Sequence, residues 1–227
     1  MREIVLDTET TGLNPLQGDR LVEIGCVEIF NSLQTGQIFH RYFNPQRDVP
    51  DEAARVHGLT TEFLADKPFF AAEVDAFLDF IGDSPLVIHN APFDMGFINA
   101  ELTRCGFKNI PMARAIDTLP MARKKFPGAP ASLDALCRRF SVDLSVRDFH
   151  GALLDARLLA DVYLELCGGR QPGFEIGTKE TKNEESALQE VVDRVFRKPR
   201  VHTLAEEESK AHEAFLEKLK DPLWKRA

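Results

Sequence analysis

Two acids, Asp7 and Glu9, stand two residues apart in the stretch DTETTG, directly after a short apolar run. If that run is a strand, its period of two puts both carboxylates on one face. A D-x-E pair there also fits an ordinary polar turn. A third acid, Asp94 in HNAPFDMGF, follows another apolar run and opens a helical pattern, where the helix dipole favours a carboxylate in any case. The fourth, Asp155, interrupts an apolar face formed by Ala152, Leu153, Leu154, Leu158 and Leu159. An acid in that setting is costly unless a cation or donor satisfies it. Four carboxylates with no cysteine ligand are hard oxygen donors, suited to Mg²⁺ or Mn²⁺ rather than zinc. Two such ions about 3.5–4 Å apart clamp the attacking and leaving oxygens of an in-line phosphoryl displacement. His150, five residues before Asp155, titrates in the range of a general base, and Gly151 lets the backbone bend between them. The expected catalytic set is therefore Asp7, Glu9, Asp94, Asp155 and His150, around two divalent metal ions.

The elements that must position this set can be read from the pattern. Residues 3–6 form a short apolar strand. Residues 20–30 and 37–43 are β-rich and joined by the polar NSLQTG, which reads as a hairpin. DEAARVHG is a short helix stopped by Gly58, and residues 73–81 carry Val74, Phe77, Leu78 and Ile81 at amphipathic spacing. PLVIHN is a buried strand leading into the helix FDMGFINAELTRCG, and AIDT is another short strand. Two further helices contain SLDALCRRF and end near Cys167. Strands first in a meander, then alternating with helices, imply an α/β sandwich around a mixed sheet.

Composition narrows the class. The chain has 227 residues, 44% hydrophobic and 28% charged, enough for one domain with a sizeable core plus an extension. Its four cysteines are dispersed, which reads as reduced thiols in a cytoplasmic protein. The opening MREIVLD has no signal-peptide pattern, and no stretch approaches the ~20 apolar residues of a membrane span. A formal net charge of -8 argues against a free-standing nucleic-acid binder, so something else is expected to hold a polyanionic substrate in place.

After residue 168 the character changes. Residues 169–185 are rich in Gly, Lys, Glu and Thr and read as a flexible linker. Residues 186–227 hold two amphipathic segments, one with Leu188, Val191, Val192, Val195 and Phe196 and one with Ala211, Phe215, Leu216 and Leu219, and end in DPLWKRA. Two short helices on a tether cannot bury such faces alone, so a docking tail is expected.

DTETTG, HNAPFD and HGALLD, in that order, resemble the three motifs of the DEDD superfamily of 3′–5′ exonucleases. The resemblance implies a ribonuclease H-like fold, a mixed five-stranded sheet flanked by helices, with Asp7, Glu9, Asp94 and Asp155 as ligands of two ions. One subgroup has a tyrosine four residues before the last Asp, where this chain has Gly151. The other has a histidine five before it, and His150 fits. VHGLT, IDT, SLDALCRRF and the tail further resemble the proofreading subunits that act with bacterial DNA polymerase III. That resemblance implies that the tail docks on the polymerase III alpha subunit, with Phe215, Leu216, Leu219 and Trp224 as anchors. It implies a DNA 3′ end as substrate, with Thr8, Thr10, Leu13, Val56, His57 and Phe93 around the terminal nucleotide. QPGFEI is similar to peptides that grip the beta sliding clamp, which would make Gln171, Phe174 and Ile176 its anchors. A small accessory subunit is a further partner the resemblance leaves open. An RNA-trimming enzyme and a non-catalytic adaptor are the alternatives. The tail disfavours the first and the complete set of acids disfavours the second. Asn90 fits equally a helix cap, His89 a packed strand end, and His40, His202 and His212 show no role.

Overall fold

The computed structural model describes residues 1–144, 150–168 and 205–218. The chain divides into two units, Met1–Ile176 and Gly177–Ala227. The first unit contains five strands: β1 (Arg2–Thr10), β2 (Leu21–Phe30), β3 (Leu33–Tyr42), β4 (Leu86–Ile88) and β5 (Ala115–Asp117). Its helices are α1 (Asp51–His57), α2 (Thr61–Leu64), α3 (Phe70–Ile81), α4 (Ala91–Arg104), α5 (Thr118–Lys125), α6 (Leu133–Phe140) and α7 (Ala152–Leu166). The sheet order is β3-β2-β1-β4-β5. β1 pairs antiparallel with β2 and parallel with β4, β2 pairs antiparallel with β3, and β4 pairs parallel with β5. This is the mixed five-stranded sheet expected from the sequence, with β1 at its centre.

Strand alternation sorts the core into two layers. Ile4, Leu6, Ile24, Cys26, Leu86 and Ile88 pack with Val74, Phe77 and Ile81 of α3 and Met95, Ile98 and Leu102 of α4. Val5, Val27, Ile29 and Val87 face the other way, onto Ala156, Leu159, Ala160 and Tyr163 of α7. Asp7 and Glu9 share the parity of Val5, so β1 presents them on the α7 side.

Two local features differ from the sequence reading. The hairpin connection is the two residues Asn31 and Ser32, not the whole of NSLQTG, and β3 resumes at Leu33. Both turn residues have positive φ (49° and 64°), the backbone geometry whose twist matches that of the flanking strands. α5 is the second. It was not read from the sequence, and Pro120 in its first turn is tolerated because an early N–H needs no helical partner. The Asp117 side chain accepts from Leu119 N–H to cap it. Elsewhere Gly58 ends α1 in the left-handed conformation, φ 75°, as expected.

In the second unit α8 (Glu206–Leu216) begins with Glu206, Glu207 and Glu208, favourable at a helix N-terminus. Phe215 is exposed and Leu216 is buried. Leu219 and Trp224, the clamp-type residues Gln171, Phe174 and Ile176, the segment 186–200 and the linker 169–185 lie outside the described residues.

Candidate active site

The position of Asp155 depends on a glycine. Gly25 on β2 stands opposite Asp7 in the β1–β2 register. A Cβ built on it would lie 2.3 Å from Leu153 N and 2.4 Å from Ala152 C. The first turn of α7 therefore rests directly on the β2 backbone, which no other residue would allow. Asp155, in that turn and 4% exposed, is carried up to β1, and carboxylate oxygens of Asp7, Glu9 and Asp155 lie within 4.8 Å of one another, a group able to hold a metal ion. Burial, then the charges of Asp94, Glu9, Asp155 and Glu23, hold the Asp7 carboxyl well above its usual range.

Asp94 is outside that group of three. It is buried in the first turn of α4 and accepts a hydrogen bond from Thr8 Oγ1 at 2.7 Å. Burial pushes its pKa up to about 7, against the lowering effect of that hydrogen bond, and its charge reaches Asp7. Asn90 occupies the N-cap position of α4 with φ 69° and makes no side-chain cap bond, so the capping role is not realised. His89 is packed, its Nδ1 2.8 Å from Thr118 Oγ1.

His150 precedes α7. Its Nδ1 lies 3.1 Å from Asp155 Oδ2, and its backbone N–H donates to Val56 O at 3.1 Å. With Nδ1 donating to the carboxylate, Nε2 is the nitrogen able to accept a proton. His40, without an evident role in the sequence, pairs with buried Glu23 at 2.7 Å.

A cavity of 540 Å³ opens beside these groups, and Thr8, Thr10, Leu13, Val56, His57 and Phe93 all line it. Leu13 and Val56 present apolar surface to solvent, 84% and 50% exposed. His57 Nδ1 accepts from Leu59 N–H, which places its proton on Nε2, and burial lowers its pKa. That Nε2–H is buried near the Thr10 backbone and meets no acceptor in hydrogen-bond geometry. The cavity adds Glu52 and Asp19, which the sequence reading missed. Glu52 lies one turn before Val56 on α1, and i, i+4 spacing puts both on one helix face, a signal that could have found it.

Carboxylates at the end of a central strand, a histidine on the loop before the last of them and an adjoining cavity are an arrangement suited to a nuclease-type centre. Residues 4–163 match the exonuclease family. The chain is 51% identical over 219 residues to DNA polymerase III subunit epsilon of Rickettsia felis, covering 95% of this chain and 96% of that one. It is 47% identical over 225 residues to the subunit of the same name from Escherichia coli K12, covering 95% and 92%. Among solved structures, exonuclease X in complex with 5′ overhanging duplex DNA shares the fold at TM-score 0.55 and 24% identity, covering 72% of this chain and 90% of that chain. A 3′-exonuclease that recognises a histone mRNA stem-loop does so at TM-score 0.63 and 17% identity, over 73% and 63%. The chain belongs to the exonuclease family and, within it, to the DNA polymerase III epsilon subunits.

Proposed function

We propose that this protein is the proofreading 3′–5′ exonuclease of a bacterial replicative DNA polymerase, removing mispaired 3′-terminal nucleotides. The observation that carries the reading is the convergence of Asp7, Glu9 and Asp155 beside His150 and the 540 Å³ cavity. Three carboxylates without a thiol fit a hard divalent cation, and the repulsion that raises Asp7 is what such a charge relieves. Asp7, Glu9 and Asp155, with Asp94 alongside, would hold two Mg²⁺ or Mn²⁺ ions, which supply Lewis-acid stabilisation of charge at the scissile phosphate.

The chain's own groups do the rest. Leu13, Val56 and Phe93 offer apolar surface on which any base stacks without being read. His57 forms part of the same wall. His150 Nε2 takes a proton from the attacking water as its oxygen bonds to phosphorus, and the bond to the upstream 3′-oxygen breaks, that oxygen taking a proton from solvent, so that a nucleoside 5′-monophosphate and a strand with a new 3′-hydroxyl are released. Selectivity then comes from the substrate, because a mispaired end unstacks at lower cost than a paired one.

The net charge of -8 suits a subunit that receives its substrate from a partner. The alpha subunit, docked on the tail through Phe215, Leu216, Leu219 and Trp224, and the beta clamp, gripped through Gln171, Phe174 and Ile176, are that assembly. No helix among the described residues is long and apolar enough to cross a membrane, and a cytoplasmic setting accords with four unbridged cysteines. Trp224→Ala should weaken co-elution with the alpha subunit, and unchanged co-elution would remove it from the interface.

The deciding experiment is cleavage of 5′-labelled strands with Mg²⁺, comparing a mispaired DNA terminus, a paired one and an RNA strand. Shortening from the 3′ end, fastest on mispaired DNA and stopped by EDTA, is expected. A preference for RNA would move the chain to a trimming role, and no cleavage of any strand would leave an adaptor.

A further inference from the structure

A second cleft, of 680 Å³, lies on the other side of the acids. Its walls come from His89 and Asn90 after β4, from Arg123 on α5, and from residues 129–132 and Leu133 at the start of α6. β1, β4 and β5 run parallel, so these segments sit at the same edge of the sheet as Asp7 and Glu9. The 540 Å³ cavity is built instead from the β1–β2 connection and α1, on the β2 side of β1. The first turn of α4 divides the two. Phe93 faces the cavity, Asn90 the cleft, and Asp94 belongs to the same turn.

A strand seated with its last nucleotide in the cavity and its scissile phosphate at the acids must leave across that turn, into the cleft. Its next phosphate would otherwise pass between Asp94 and the acids of β1, whereas in the cleft the acid it meets is Asp117, whose Oδ1 already accepts from Asn90 and Leu119 N–H. Arg123 is the cation the cleft offers. It makes no hydrogen bond or ion pair to another described residue, and its charge reaches His89. A guanidinium free of internal partners can turn its fork of donors to a phosphodiester.

We propose that Arg123 binds the phosphodiester on the upstream side of the bond that is cut, which makes the 680 Å³ cleft the exit track for the leaving strand. The inference rests on the exonuclease reading, and its test separates the two. The p-nitrophenyl ester of thymidine 5′-monophosphate keeps the terminal nucleotide but replaces the upstream strand by nitrophenolate, so it cannot use the cleft. For the full-length protein, Arg123→Ala should raise KM for a short oligothymidylate by about tenfold and leave kcat and KM for the ester unchanged. The slope of log(kcat/KM) against log salt on the oligonucleotide should become shallower by about 0.7 for the one lost single-strand contact, and Arg123→Lys should restore most of it. An equal loss on both substrates would make Arg123 structural and overturn the proposal, as would full activity of Arg123→Ala on the oligonucleotide. If the unaltered protein cleaves neither substrate, it is the exonuclease reading that fails.

Discussion

The side chain of Asp155 is 6% exposed on a helix whose first turn lies against the backbone of β2, whereas that of His150, five residues earlier, is 48% exposed. The acid owes its place to close packing of a helix on a sheet. The histidine owes its place in part to two hydrogen bonds, one to Asp155 and one to the Val56 carbonyl. Packing of that density tolerates almost no displacement, while a hydrogen bond of this kind contributes about 1 kcal/mol. Ligand geometry and base geometry should therefore fail separately when the protein is altered.

The largest effect is expected from Asp155→Ala. Cleavage should fall by about 10⁴-fold or more, as removal of a group acting within a catalytic unit does. The fold should survive, because one source of the repulsion on Asp7 is gone. Measured rates near those of the unaltered protein would take Asp155 out of the ligand set. His150→Ala should cost about 10²–10⁴-fold in kcat, yet calorimetric titration should find Mn²⁺ bound as before. Loss of ion binding in that variant would mean the two regions are not separable. Gly25→Ala should act on the ligand side alone. Its methyl group displaces the front of α7, and a misplacement of about 1 Å costs on the order of 100-fold. Here weakened Mn²⁺ binding should accompany the lost rate, and normal values of both would show that α7 can move without consequence.

The smallest effect concerns stability. Asp7 and Asp94 have folded-state pKa values raised above the unfolded value of about 3.9. Their favourable contribution is therefore complete below that value and lost as pH climbs through the folded pKa, about 7 for Asp94. In EDTA the melting temperature should drop by a few degrees between pH 5.5 and 8. Asp94→Asn or saturating Mg²⁺ should flatten the decline, and a flat profile for the metal-free parent would show that burial of these acids does not destabilise the ionised form.

The fold and the residues of the candidate site were legible because their signals are local. Apolar and β-rich runs gave the strands, Gly58 gave the end of α1, and the motif order gave the candidate acids and His150. What the sequence withheld depends on contacts between distant segments. Gly25 reads as one residue of a β-run in LVEIGCVEIF, and only the arrival of α7 explains why it has no side chain. Asp94 belongs to the motif set, but its bond to Thr8, and its place beside the three clustered carboxylates, follow from how α4 meets the end of β1. α5 was not read from the sequence, and Pro120 in its first turn has opposite meanings at a helix start and inside one.

The hydrogen bond from His150 N–H to Val56 O has a kinetic corollary. Val56 is also a wall of the 540 Å³ cavity, so a terminal base that tilts α1 carries the imidazole with it. On the proposed function, occupancy and turnover would then be correlated quantities, and a poorly seated end would be penalised once on entry and again at the bond-breaking step. Single-turnover rates at saturating enzyme on matched and abasic 3′ ends would expose that second penalty. Equal rates would mean that the protein discriminates between ends at admission alone.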